Sequence, residues 1–469
     1  MSETIIYRTD WLASKPVFYH ELTNKVSNNI NDIIDFESFD WDPDGLKNYL
    51  DFGYSVFGHT PIRYVKFLPP CAELKIENGI IKINLERDPA EHWIGRSTNE
   101  FDVLDLIGNT INQWEDSVVG EIVLPLSGGY DSRLLAHFIK DKNRIRSFTY
   151  GLSDIQNKSF EVIYAKKVAE LLNFKNEIIP LGRFHTHFDE WYYKYGVSTH
   201  AHGMYHIEFY QQILKKINGE NPLLTGLIGD AWSGAFELPE ILNSTDVIRL
   251  GHTHNLHADS NFSVFKKSES QSKEAFFENR KDLLKDPHYR IIESMRLKMM
   301  LLSYLITIPD TFNFKPFAPF IEENIALGML FLPPERRKDR LWQKEFFLKN
   351  GLGIDFKSDS VDYGNTLNAQ ALKTIPLKAL ITNLLKEIIQ ESYLNNVNDK
   401  LANWLVSKQI AQVNDKLLEI PILRGAMWRI GFRNRLPAAI NEVMKVYYVF
   451  LTLYPLQKII EQRNAYFSK

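Results

Sequence analysis

Seven consecutive residues, Leu126-Ser-Gly-Gly-Tyr-Asp-Ser132, carry the densest chemistry in the chain. They end the apolar run EIVLPL and precede SRLLAHFIKD, which has helical periodicity. Gly128 and Gly129 allow positive φ and a close approach of backbone to an anion. The first amides of the following helix lack intrahelical partners and lie at the positive end of its dipole. Ser127 and Ser132 add hydroxyl donors. Asp131 is the odd member, because a carboxylate repels phosphate unless a cation such as Mg²⁺ bridges the two. The string therefore predicts a pyrophosphate cradle with a metal-binding carboxylate. Two glycines after a strand are by themselves a common turn; the whole string at a strand–helix junction carries the reading. No GxxxxGK loop followed by Ser or Thr, and no dinucleotide fingerprint, competes with it.

The elements needed to hold such a loop are legible around it. FDVLDLIGNTINQWEDSV reads as a helix, EIVLPL as a strand and SRLLAHFIKD as a helix. IRSFTYG, the amphipathic FEVIYAKKVAELLN and NEIIPL continue the alternation, and a further strand, PLLTGL, runs to Gly226 and Asp230. Strands alternating with helices predict an α/β fold, a parallel sheet flanked by helices, with ligands at the carboxyl ends of its strands. Residues 1–40 are polar and irregular in pattern. PDGLKNYLDFGY reads as a short helix, and AELKIE and IIKINL as a hairpin around Asn78-Gly79. Beyond about residue 290 the pattern is mostly helical, and the last hundred residues contain no strand signal. The expected division is a reduced N-terminal β-containing region at 1–101, the α/β domain at 102–370 and a helical C-terminal part at 371–469.

Composition narrows the setting. The 469 residues are 44% hydrophobic and 24% charged, with a net charge of -3 from 55 basic and 58 acidic side chains. That balance predicts no nucleic-acid partner and no anionic membrane surface, both of which call for concentrated positive charge. One cysteine, Cys71, excludes an internal disulfide and a cysteine-rich zinc site. The N-terminal MSETIIYRTDWLASK lacks a signal-peptide apolar core, and VYYVFLTLYPL at 446–456 is too short to span a bilayer. The expected location is the cytoplasm.

SGGYDS resembles the SGGxDS loop of the N-type ATP pyrophosphatases, and its surroundings resemble the synthetase domain of asparagine synthetase. FDWDPDGLKNYLDFGYSVFGHTPIRYVKFLPPCAEL resembles the stretch before that domain, with Cys71 where Pro-Pro is usually followed by glycine. SFTYG with the helix after it, TGLIGDAWSG and PFAPFIEENIALGMLFLPPERR resemble later segments, so the likeness runs patchily from 40 to about 365. It implies an adenine nucleotide alpha hydrolase-like fold that uses ATP and Mg²⁺. Residue by residue, it implies that Leu126, Ser127, Gly128, Gly129, Asp131, Ser132, Thr225 and Gly226 bind nucleotide. Asp131 and Asp230 become the metal-binding pair, and Lys357 in IDFKSDS a catalytic cation facing the phosphates. The departures are Leu227, Ile228 and Ala231 in the second loop, where the family usually has a glutamate, a glycine and an acid, and Arg133 where it usually has serine. Ser2 stands where a glutaminase needs cysteine, and about 100 residues do not hold that domain, so no glutamine hydrolysis is expected.

The resemblance implies an AMP-forming ligase that adenylates a small-molecule or peptide carboxylate and passes it to ammonia or an amine, with the nitrogen supplied internally or by a separate protein. Loss of acids in the second loop leaves a non-catalytic nucleotide-binding relative as the alternative. Three other signals read as structural. Asp40, Asp42, Asp44 and Asp51 have calcium-loop spacing, but Asp42-Pro43 reads better as a helix N-cap. His185, His187, His200, His202 and His206 read as loop histidines, one of them touching substrate, and not as a metal cluster. Arg424, Arg429, Arg433 and Arg435 read as a solvated or partner-facing helix. Should Lys357 fail as the phosphate-facing cation, Arg133 is the next in reach.

Overall fold

The computed structural model describes residues 5–217, 220–253, 256–265, 270–354, 361–419 and 436–469. Ser2, Lys357, Arg424, Arg429, Arg433 and Arg435 lie outside the described residues.

Eleven strands form three sheets among the described residues. The chain opens with β1 (Ile5–Arg8), β2 (Phe18–His20) and β3 (Val26–Ser27), followed by helix α1 (Pro43–Phe52) and β4 (Val65–Phe67). The hairpin β5 (Ala72–Glu77) and β6 (Ile80–Leu85) turns at Asn78-Gly79, both with positive φ, as the sequence predicts. The first forty residues are less irregular than their pattern suggests. β1 pairs antiparallel with β5, and β2 sits between β3 and β4. Strands of four, three and two residues are too short to show alternation, and β1 and β2 also pair with strands more than forty residues away.

The central sheet has five parallel strands in the order β11-β10-β7-β8-β9: β7 (Ile122–Pro125), β8 (Ile145–Thr149), β9 (Lys175–Ile178), β10 (Asn221–Leu224) and β11 (Phe314–Phe317). Helices α2 (Glu100–Ser117), α3 (Tyr130–Phe138), α4 (Phe160–Leu172), α5 (Phe188–Tyr195) and α6 (Tyr205–Leu214) alternate with its first strands. The short α7 (Gly229–Ser233) follows β10; then come α8 (Gln271–Arg280), α9 (Pro287–Leu302) and α10 (Tyr304–Thr311). The chain is thus an α/β protein with an all-parallel sheet flanked by helices. β11 has no counterpart in the sequence reading. FKPF is short and contains Pro316, which cannot donate to a ladder and is tolerated because β11 is an edge.

Side chains alternate across the sheet with period two. Val123 and Leu223 enter one core with Phe148, while Ile122, Leu124 and Leu224 enter another with Val103, Ile107 and Leu134 from α2 and α3. The first core extends from Phe18 to Ile460, so the N-terminal strands and the last helix share it. Val446, Tyr447, Phe450 and Leu451 are buried there, in the helix Leu436–Phe467 that pairs with Glu391–Glu419. Among the described residues, no helix is long and apolar enough to cross a membrane.

Strand order fixes where a ligand fits. From β7 the chain steps to β8 and β9 on one side, then returns to place β10 on the other. Loops leaving β7 and β10 therefore diverge from adjacent strands, and the crevice between them is the topological switch point.

Candidate functional site

Both loops singled out in the sequence meet at that crevice. Gly129 is the N-cap of α3 and no side chain caps this helix, so its first amides are free of side-chain competition. Ser127 Oγ accepts from the Gly129 amide at 3.3 Å and lies 3.4 Å from Ser132 Oγ, which ties the loop to the helix it feeds. Leu126 is buried and its carbonyl accepts from Thr149 Oγ1 at 2.6 Å. Gly128 has φ +70°, and a Cβ there would stand 2.4 Å from Cβ of Tyr164 on α4. Only glycine suits both demands.

The loop after β10 closes against this one. A Cβ on Gly226 would lie 3.1 Å from Cβ of Asp131, and one on Gly229 would lie 2.7 Å from its Cγ. Thr225 donates its amide to Phe317 O of β11 at 2.9 Å and stays half-buried. Thr225, Gly226 and Asp230 thus reach the Leu126–Ser132 loop across one strand spacing. The substituted positions do not face the crevice as free polar surface would: Leu227 and Ala231 are buried in the core. Ile228 is held at φ +53°, a conformation costly for a β-branched residue.

Two carboxylates, Asp131 and Asp230, now share the crevice. Asp131 is raised to about 7, first by burial and then by the charge of Asp230; Arg340, the Asp230 amide and the Gln343 side chain pull in the opposite direction. Asp131 Oδ1 is buried without a hydrogen-bond partner. Gln343 is fully buried, and neither of its amide atoms meets a partner in full hydrogen-bond geometry, so its help to Asp131 is partial. An unpartnered carboxylate oxygen beside a second carboxylate fits a divalent cation. Among the described residues no group of three or more metal-ligating side chains exists.

Two cations border the pair, and neither stood out in the sequence. Arg340 lies over the Tyr130 ring with its guanidinium carbon 4.5 Å from the centroid. It reaches there through a kink in which Asp339 and Arg340 both have positive φ, 52° and 57°, at the start of helix Leu341–Lys349. Such backbone costs about 1–3 kcal/mol per residue and concentrates at functional positions. Lys298 on α9 is drawn down by burial and held up by the charge of Asp230, with its Nζ 5.9 Å from the Phe236 ring centroid. No local pattern marks either residue, because Arg340 is one of several cations in ERRKDR and Lys298 follows Arg296, both remote in sequence from the loops they approach.

Arg133 does not serve as the alternative cation. It is buried, donating to Gly128 O at 2.9 Å and Leu352 O at 3.2 Å, with its guanidinium 4.9 Å from the Phe347 ring centroid. Burial brings it down to about 10. Its role is to hold the glycine loop from behind. Arg133→Ala is expected to cost about 2–4 kcal/mol in chemical denaturation, through a cavity and two carbonyls left unpaired. Arg133→Lys, still cationic but without the fork, is expected to lose much of the same stability. An Arg133→Ala protein as stable as the parent would remove this role.

The calcium-spaced aspartates are spent on structure. Asp42 caps α1 by accepting from the Asp44 and Gly45 amides and also binds Lys66 at 2.8 Å and His59 at 3.0 Å. Asp40 pairs with Arg63, Asp44 accepts from the Ser272 amide, and Asp51 accepts from Ser260.

The histidines lie deeper than loop residues would. His185 bonds Ile375 O and Tyr447 Oη, while His187 bonds Glu190. Burial lowers His185 and His202 to about 4 and His206 to about 3. In the unfolded chain they titrate near 6.5, so the unfolded state takes up protons first as pH falls. Their contribution is intact above pH 6.5 and lost progressively toward pH 4. Urea unfolding at stepped pH is expected to show stability falling by several kcal/mol over that window, with a shallower fall in His206→Phe. A flat profile would contradict neutral burial.

No family model matches the chain, and no curated protein sequence matches it.

Proposed function

We propose that the chain is an ATP-dependent, AMP-forming ligase of the asparagine synthetase type, on an adenine nucleotide alpha hydrolase-like fold and without its own glutaminase. The observation that carries this reading is the crevice itself: Asp131 and Asp230 on adjacent loops, beside the uncapped start of α3. A second observation supports the kinship. At Cys71 and Ile228, where the family pattern has glycine, the backbone is left-handed, with φ +55° and +53°. Glycine is the usual residue for that conformation.

In this reading the substrate carboxylate attacks the α-phosphorus of ATP, forming an acyl-adenylate and expelling pyrophosphate. Ammonia or an amine then attacks the acyl carbon, the amide forms and AMP departs. The α3 amides and Ser127 hold phosphate oxygens, and Arg340 places fixed positive charge where the leaving group gains negative charge. Asp131 and Asp230 would hold Mg²⁺, which when bound neutralises charge on the pyrophosphate. Thr225 and Gly226 border the ribose, and Lys357 is a further cation for the phosphates. The partners are a small-molecule or peptide carboxylate and an amine donor, with neither nucleic acid nor membrane involved. The lone buried Cys71 accords with a reducing compartment, and we place the enzyme in the cytoplasm.

A non-catalytic nucleotide-binding relative is the second reading, favoured by a second loop in which Asp230 is the lone acid among Leu227, Ile228 and Ala231. Pyrophosphate release separates the two. Incubation with Mg–ATP and a panel of amino acids, sugar acids and peptides is expected to release pyrophosphate with at least one carboxylate. ATP binding with no release across the panel would favour the second reading.

A further inference from the structure

Positive charge collects at the far end of the second loop. Asp230 lies in the first turn of the short helix α7, and Gly234 closes that helix with φ +98°. A Cβ on Gly234 would stand 2.1 Å from Arg337 O, so α7 ends hard against the helix Pro334–Arg337. Beside this contact lies a cavity of about 250 Å³, walled by that helix and by the first turn of α9. Its wall includes Arg290 and Arg337, 7% and 8% exposed, and Lys338, which is exposed. Phe236, Leu238 and Ile291 supply apolar surface. Glu237 and His288 complete the ionisable groups of the lining.

The three cations lack close counter-charges. Arg290 donates Nη1 to the carbonyls of Leu284 and Lys285, at 3.0 and 3.1 Å. Arg337 donates Nε to Trp232 O at 3.2 Å. Among the described residues, the two Nη groups of Arg337 and the Lys338 ammonium meet no acceptor, and none of the three cations joins an ion pair. Burial brings Arg337 down to about 10, with the charge of the exposed Glu237 opposing that fall. Burial also lowers His288, and the charges of Arg337 and Arg290 lower it further against the pull of Asp286. Both guanidinium groups therefore act on one imidazole, which places them together. Asp286 is engaged there already, accepting from the His288 and Tyr289 amides and lying 3.5 Å from the His288 ring. With His288 neutral, Glu237 is the one acid of the lining against three cations.

Buried charge without a partner is costly, and a small anion in the cavity would relieve it. Guanidinium groups present planar forks of donors that match phosphate oxygens. Three cations from two elements suit an anion with three free oxygens better than a carboxylate with two.

We propose that this cavity binds a phosphate group, free or as a small monoester, through Arg337, Arg290 and Lys338. The site lies at the opposite end of α7 from Asp230 and does not rest on the ligase reading. Phosphorus NMR titration of the full chain in EDTA tests it, with inorganic phosphate and methyl phosphate as probes. EDTA removes the divalent cation that phosphate would need beside Asp131 and Asp230, so binding in the crevice is not expected. At least one probe is expected to bind, and acetate, followed by proton NMR, to bind more weakly. Tighter binding of inorganic phosphate identifies a free-anion site and tighter binding of methyl phosphate an ester site; each supports the proposal. Lys338→Glu is expected to weaken phosphate binding about tenfold or more, and Lys338→Arg to keep it. Arg337→Gln is expected to weaken it as much, and thermal unfolding checks that each variant is folded. Should Arg337→Gln fail to fold, Lys338→Glu decides, because Lys338 is exposed and its replacement breaks no contact of the fold. Binding of neither probe, unchanged affinity in folded Lys338→Glu, or acetate binding as tightly as phosphate would overturn the site. Any of these leaves the ligase reading standing, and a lack of pyrophosphate release with every carboxylate leaves this site standing.

Discussion

Asp131→Asn is expected to make the ligand-free protein more stable above pH 7 while weakening its binding of Mg–ATP. Burial and the neighbouring Asp230 raise the Asp131 carboxyl to about 7, against an ordinary value of 3.8. Between those values the folded protein holds a proton that the unfolded chain has released, so this group's effect on stability improves as pH falls through 7. Above 7 the folded state carries a confined charge next to a like charge, and that cost is at its largest. Asparagine keeps the shape and removes the charge. The gain at pH 8 is on the order of 2 kcal/mol, a deliberately discounted figure given about 1.4 kcal/mol per pKa unit. Denaturant unfolding at pH 8 and pH 5 checks it, with the difference between parent and variant narrowing at the lower pH. The three buried histidines have the opposite pH sign but are common to both proteins and cancel in the comparison. Calorimetry with Mg–ATP is expected to show affinity lower by about tenfold or more, since even an indirect partner of a metal typically counts for that much. A variant neither stabilised nor impaired in binding would remove Asp131 from the site.

Arg340→Ala is expected to slow pyrophosphate release by on the order of 10²-fold, with a smaller effect on ATP affinity. A fixed guanidinium helps most where charge develops, on the departing pyrophosphate, so its loss falls mainly on turnover. The Asp339–Arg340 kink holds that guanidinium over Tyr130 at a backbone cost, which makes a purely decorative role uneconomical for the fold. Arg340 also lowers Asp131, so its removal is expected to push the alkaline-rising limb of the pH–rate profile upward. Arg340→Lys should recover part of the rate, since the charge is kept and the planar stack on Tyr130 is weakened. Near-normal release by Arg340→Ala would confine the residue to packing against Tyr130. The same measurement on Lys357→Ala, also expected to cost on the order of 10²-fold, ranks the two cations.

What the sequence by itself determined is whatever is encoded by neighbours along the chain. The strand–loop–helix junction from Leu126 to Ser132 was readable because a strand end, two glycines and a helix start are contiguous, and the parallel sheet because each β–α step carries its own periodicity. Asp42 as a helix cap followed from Pro43 beside it. Tertiary structure decided the rest. Asp230 acts on Asp131 only because β10 returns to the side of β7 opposite β8, and Arg340, Lys298 and Gln343 come from helices that local pattern cannot aim. Arg133, two residues from Asp131 in sequence, faces away from the crevice because a helix turns about 100° per residue and buries that side against Phe347. Ile228 and Cys71 keep left-handed backbones that their side chains disfavour, since the surrounding fold, and not the residue's own preference, sets φ there. Most histidines of the 185–206 stretch are buried in the interior for the same reason. Burial depth is a property of everything packed around a residue, and no short window of sequence contains it.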